Sequence, residues 1–437
     1  MSEPSVVPAL ADRSHAELVV LVPELLLAGH LIDRAGMPSL LAHVSTDVMA
    51  EVAIEEWMGA SPLYTRRMQK LLGFEGTDVA TIFKGMQLDI GAPPQFMDFR
   101  YEVADEAHGE FKLAHCGALM DVEPMGDEMV VAMCHHIEDP TFPATACATN
   151  PRAVMAPVHR PPRSSATPVH EHCHWTVVID PLTDPAPEPT EAVRLSATLA
   201  ASLPLPVIGP PGDGDPADAR ADYSGPLEAD VPFAAFSSSA LVAMAEESAV
   251  QGHLLQLSFF ASAADRLGPD VAADLARTQL TGVGAVVAER LALALGVPVG
   301  GAPIGDATAS AGCSLTDVAS VLAVHPAFLP AAYVDLRLNL SSVGDSLVVI
   351  LGDCPALHEL VALSWPAALL GADPDAPGPL DAIVQALDPH LRVVSVAPVG
   401  DAVASWEIVR VDEPAPEPDA VLLTRFSTGA TFRFTPR

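Results

Sequence analysis

Six blocks of sequence recur in the same order in the two halves of this chain, and a chain that repeats itself folds as two copies of one unit. STDVMAEVAIEEWMG from Ser45 aligns with LTGVGAVVAERLALA from Leu280, and GTDVATIF from Gly76 with LTDVASVL from Leu315. MDFRYEV from Met97 matches VDLRLNL from Val334, and AHCGALMDV from Ala114 matches GDCPALHEL from Gly352. TNPRAVMAPV from Thr149 matches LDPHLRVVSV from Leu387, and CHWTVVI from Cys173 meets ASWEIVR from Ala404.

Within each copy the pattern changes once. Residues 16–60 and 240–297 place apolar side chains at helical spacing. FMDFRYEVADEAHGEFKLAHC then alternates and breaks at DEAHGE, the signature of a hairpin, and two β-branched runs supply two further strands. The fold class expected is therefore α+β, in two tandem modules, each a helical segment followed by a small, mostly antiparallel sheet. The boundaries fall at 1–181 and 232–437, with a Pro-, Gly- and acid-rich linker over 182–231. With 437 residues, each module has enough chain to bury its own core.

Charge narrows the partners. Lys and Arg number 22 against 56 Asp and Glu, a net charge of −34, which repels nucleic acid and anionic membranes alike. LVVLVPELLLAGHLI contains Pro23, Glu24 and His30 and reads as a core helix rather than a membrane span. The N-terminus carries acids where a signal peptide needs bases, so the expected location is the cytoplasm and the six cysteines are expected as free thiols. The glycines of TGVGAVVAERL lie inside a helical pattern with no preceding strand, so they signal helix packing and not a dinucleotide loop.

Chemistry-bearing residues concentrate in the first copy, in MVVAMCHHIEDP and HEHCHW. On a helix, Cys134 and Glu138 share a face at i, i+4, whereas His135 and His136 point elsewhere; His135 meets Glu138 only at i, i+3. On a strand, His172 and His174 share one face, and Cys173 and Trp175 the other. Cys116, Cys134 and Cys173 with His172 and His174 are the candidate ligands for zinc or iron. Cys134, Glu138 and His135 are the candidate catalytic groups, either around a metal-bound water or as an activated thiol with its proton carriers. Arg160 and Arg163, in the basic island HRPPR, are candidates to receive a substrate carboxylate. Each of these residues taken singly also fits a core or solvated role. The second copy weighs against that reading for the cysteines: it retains Cys354 opposite Cys116 but has Ala372 opposite Cys134 and Ala404 opposite Cys173. A fold built without those side chains does not require them.

HCGALMDVEP, AMCHHIEDPTF, NPRAVMAPVHR and HEHCHWTVVI together resemble the L-2-amino-thiazoline-4-carboxylic acid hydrolase-like family over about residues 97–180. The resemblance implies roles for Cys116, Cys134, Glu138 and Cys173, and a hydrolase, dependent on a metal or a cysteine, that acts on a small C=N or amide-type substrate. The architecture is also similar to 4-vinyl reductase-like sensing domains, which implies a non-catalytic sensor or carrier of a small molecule, metal or haem. A third class is an assembly subunit, with the Ala-rich helices of the second module as a surface for a homo-oligomer.

Overall fold

The computed structural model describes residues 7–163, 171–300, 313–341, 346–371 and 377–425. Ala372, opposite Cys134 in the alignment above, lies outside them. The first copy opens with three helices, α1 (His15–Leu41), α2 (Thr46–Leu71) and α3 (Val79–Gln87). Each starts where the sequence supplies an N-cap: the side chains of Ser14, Ser45 and Asp78 accept the backbone N–H groups of Glu17, Val48 and Thr81. Strands β1 (Met97–Asp105) and β2 (His108–Cys116) form the expected hairpin. Short α4 (Gly117–Val122) and α5 (Asp127–Val131) lead through a π-helical turn, Ala132–Ile137, into α6 (Glu138–Thr149). Strands β3 (Ala153–His159) and β4 (Cys173–Ile179) complete an antiparallel sheet in the order β1-β2-β4-β3, followed by α7 (Thr190–Leu195).

The second copy repeats this plan. Its elements are α8 (Ser238–Leu267), α9 (Pro269–Ala294), α10 (Leu315–Leu322), β5 (Leu336–Leu340), β6 (Leu347–Leu351), α11 (Trp365–Leu370), α12 (Pro379–Leu387), β7 (Leu391–Val396), β8 (Ala404–Arg410) and α13 (Asp419–Arg425). The sheet order β5-β6-β8-β7 reproduces the first sheet strand for strand, and all pairings in both are antiparallel. The α+β duplication read from the sequence is the architecture of the chain.

One block of that alignment is out of register. Counting from the helix starts, Ser45 corresponds to Gly268 and not to Leu280, about three helical turns away. Close helix contacts confirm the shift. Gly59 of α2 faces Ser258 of α8 and Glu191 of α7, and Gly282 of α9 faces Ala35 of α1 and Ala420 of α13, the equivalent partners in the other copy.

The copies share one core rather than two. Helix α1 packs on α9, α2 packs on α8, and α1 also meets α8, so the four long helices form a pseudo-two-fold bundle. Helix α1 is long and apolar enough to cross a membrane, yet it packs its apolar side chains into this bundle. Two equivalent ion pairs cross the interface: Arg67 to Glu247 at 2.5 Å, and Arg290 to Glu24, whose Nη2 and Oε1 lie 2.8 Å apart. The Pro-rich segment over 182–231 is not a free tether. Arg67 donates to the carbonyls of Ala201 and Leu203, and Lys84 reaches the carbonyl of Tyr223 at 2.8 Å, with the Tyr223 ring buried beneath it.

Candidate functional site

The first sheet buries one face. Alternation along β2 and β4 sends Phe111, Leu113, Cys173, Trp175 and Val177 inward, and leaves Lys112 and His174 on the outer face with Glu110. Phe142 of α6 closes over this layer, edge-on to Trp175 at 5.1 Å and to Phe111 at 5.6 Å. Beside it, α1, α2, the start of β1 and the helical stretch from α4 to α6 enclose a cavity of about 450 Å³. Seven methionines and the rings of Trp57, Phe96, Phe99 and Phe142 give it an apolar, adaptable wall. Met125 and Leu423, both more than half exposed, stand at its edge.

The sequence-predicted residues divide around this cavity. Cys134 and Glu138 both turn inward, and Glu138 lines the cavity wall. Cys116, Cys134 and Cys173 are buried and close enough for each to feel the Glu138 charge. Burial and that carboxyl push Cys116 up to about 12, and push Cys134 and Cys173 up as well. All three belong to the apolar core, so they are held as thiols and not as nucleophilic thiolates.

The expected metal set does not converge. Nδ1 of His172 accepts the Cys116 backbone N–H at 2.9 Å, the Cys116 sulfur accepts the Leu119 N–H at 3.3 Å, and His174 lies across the sheet, 3.1 Å from Glu110. Among the described residues no group of three or more His, Cys, Asp or Glu side chains is placed to hold a metal ion. Cys116, Cys134, Cys173, His172 and His174 are therefore not brought together as one ligand set: strand alternation puts His174 on the outer face, and His172 spends Nδ1 on the Cys116 backbone.

His135 donates to the Pro161 carbonyl at 2.6 Å and His136 is exposed, so neither meets Glu138. Both arginines of the basic island are engaged: Arg160 pairs with Asp139 and lies 5.8 Å from the Trp175 ring centre, and Arg163 forks onto Glu123.

The polar groups that the cavity does present come mostly from the N-terminal helices, which the sequence offered only as core. Asp33 accepts from Trp57 Nε1 at 3.2 Å and stands beside the fully buried Glu56. Asp89 accepts from Tyr64 Oη at 2.8 Å and from the Gly91 N–H at 2.7 Å. Arg34 is tied to Asp121 at 3.2 Å. Desolvation raises every one of the three lining carboxyls apart from Asp121: Asp89 to about 6, Asp33 to about 7 and Glu138 to about 8. Burial raises Glu56 further, and Asp33 beside it adds to the effect.

Helix starts give the residue-by-residue comparison with the second copy. His30 corresponds to His253, and each donates to a backbone carbonyl, of Gly91 at 2.9 Å and of Leu329 at 2.8 Å. Each also packs on an equivalent ring, Phe96 at 4.6 Å and Tyr333 at 4.8 Å. These histidines belong to the fold. Asp33 corresponds to Gln256 and Glu56 to Gln279, so the acids of the first copy are amides in the second. There Gln256 accepts the Trp365 N–H at 2.8 Å and Gln279 accepts Trp365 Nε1 at 3.1 Å, which seats a fully buried indole in the space that the first copy leaves open. A crevice of about 20 Å³ remains at the corresponding edge.

The raised carboxyls carry a pH signature. An acid with a folded pKa above its unfolded value binds its proton more tightly in the native state, so stability is lost as pH rises between the two values. The buried histidines His30, His172, His253 and His325, all lowered to about 4 by desolvation, act in the opposite sense, but only below their ordinary 6.5. Between pH 6.5 and 8 the buried carboxyls act alone, and Glu138, at about 8, contributes alongside Glu56. The Glu138 share of the loss across that window is expected to be on the order of 1–2 kcal/mol. Urea denaturation of wild type and Glu138→Gln at the two ends checks this: the variant's slope should be flatter by that share, with Glu56 and Asp33 supplying the rest, and equal slopes would remove Glu138 from the account.

No protein-family model, curated protein or solved structure matches this chain.

Proposed function

We propose that the protein is a non-catalytic small-molecule-binding module, with the first copy as the binding unit and the second as its filled counterpart. The observation that carries this reading is the contrast between equivalent spaces: about 450 Å³ open among methionines and aromatic rings in the first copy, and the Trp365 indole in the second. A volume of several hundred Å³, apolar with a few convergent polar groups, suits an organic ligand. A packed core has no comparable void without a use for it.

The probe is n-decanol, titrated calorimetrically. One equivalent should bind per chain, and Ala118→Trp, which places an indole in the cavity wall, should weaken binding at least about tenfold. Cys134→Ala and Cys173→Ala should leave it within about twofold, because those thiols belong to the core. Failure of n-decanol to bind, or binding indifferent to Ala118→Trp, contradicts the reading.

Glu138 favours a second reading, hydrolysis of a C=N or amide-type bond. Its carboxyl holds a proton near neutral pH, faces the cavity and could serve as a general acid. Turnover of a cyclic amide or thioamidine that is lost in Glu138→Gln and retained in Cys134→Ala would establish it in place of simple binding.

A further inference from the structure

The charge inventory of the cavity identifies the class of ligand, on the reading that the cavity binds one. Four acids line it, Asp33, Asp89, Asp121 and Glu138, against one arginine. Arg34 is already committed, 3.2 Å from Asp121 and 5.9 Å from the Phe96 ring centre. His30 spends its Nε2 on the Gly91 carbonyl. The remaining carboxyls form no ion pair among the described residues: Asp33 meets Trp57, Asp89 meets Tyr64 and the Gly91 amide, and Glu138 feels the charge of Arg160, which pairs with Asp139, while its Oε2 is buried without any hydrogen-bond partner. An unpartnered buried carboxyl oxygen is costly to keep, and here it sits in the wall of an open space.

We infer that the cavity is built for an apolar organic cation, an ammonium carried on a hydrophobic body, with Glu138 and the Asp33/Asp89 cluster as its counter-charges. An anionic ligand would find the arginine of the wall already held by Asp121 and would favour the protonated form of the other carboxyls, so it gains no charge partner there. A neutral ligand would use the apolar wall and leave the carboxyls as they are. A cation gains on three counts. The carboxyls give up their protons to pair with it, it satisfies Glu138 Oε2, and it lies against the π faces of Trp57, Phe99 or Phe142. The second copy supports the assignment. Where its space is closed, the residues equivalent to Asp33 and Glu56 are the uncharged Gln256 and Gln279, and they hold an indole rather than a ligand. The acids accompany the open cavity.

The test uses the full chain and three probes with one hydrocarbon body: decylammonium, n-decanol and decanoate, compared by calorimetry near neutral pH. Decylammonium should bind at least about tenfold more tightly than n-decanol, and decanoate more weakly than either. In Glu138→Gln the ratio of the decylammonium affinity to the n-decanol affinity should fall. The wild-type comparison needs no variant, so a folding defect in Glu138→Gln leaves the test intact. Equal affinities for decylammonium and n-decanol, or tightest binding of decanoate, would overturn the cation assignment while the binding reading stood. If none of the three binds, the binding reading itself fails.

Discussion

Trp365→Ala should cost about 3–5 kcal/mol of stability and open a second ligand site. The indole is fully buried, and its removal deletes a large apolar contact and leaves Gln279 Oε1 without its donor. Gln279 keeps a contact to the Ile32 carbonyl at 3.3 Å, so the amide remains oriented and the void lies beside it. Urea denaturation measures the first effect. Calorimetry with n-decanol measures the second, where the stoichiometry should rise from one equivalent toward two. A loss below about 1 kcal/mol would mean that the second copy closes without its tryptophan, and the equivalence of the two spaces would fail.

Arg67→Met is the other large effect. Glu247 is almost completely buried, and Arg67 both neutralises it at 2.5 Å and holds the carbonyls of Ala201 and Leu203. Removing one partner of such a pair leaves an uncompensated buried charge, at a cost of about 3–5 kcal/mol. Arg290→Met, the equivalent change across the pseudo-two-fold, should cost less, because Glu24 and Arg290 retain more contact with solvent than Glu247 and Arg67. The double variant Arg67→Met, Glu247→Gln should recover part of the loss, as the stranded charge is removed. Equal costs for Arg67→Met and Arg290→Met would show that burial of Glu247 is not the determining factor.

The strands were legible because β-branched alternation is specific: each of the eight lies in or beside a block that the two halves share or in a run with period two. The hairpin at DEAHGE and the inward face of Cys173 and Trp175 follow from the same period. The register of α2 against α9 was not legible, since two Ala- and Val-rich helices align acceptably at several offsets that preserve their apolar faces. The helix starts and the glycines at the helix crossings, Gly59 and Gly282, select one.

At the site, residue type drew attention to the cysteines and histidines. Their chemistry depends on burial and on hydrogen-bond partners supplied from far along the chain, such as Pro161 for His135 and Glu110 for His174. Asp33, Glu56 and Asp89 were missed for a related reason. They arise from three separate segments, and an acid within an apolar helix reads locally as an irregularity of its polar face. For Asp33 and Glu56 the usable signal was present in the second copy, where their positions carry Gln256 and Gln279, but it appears only once the helices are in register.

The most direct test of the central claim is methyl NMR of the protein labelled at methionine and titrated with n-decanol. The chain has 13 methionines, and seven of them (37, 49, 86, 97, 125, 129 and 133) line the cavity. The account predicts that these seven methyl signals move together and saturate at one equivalent, while Met155 in the first sheet and Met244 on α8 stay in place. Shifts confined to methionines outside the cavity, or no shift at any methionine, would contradict it.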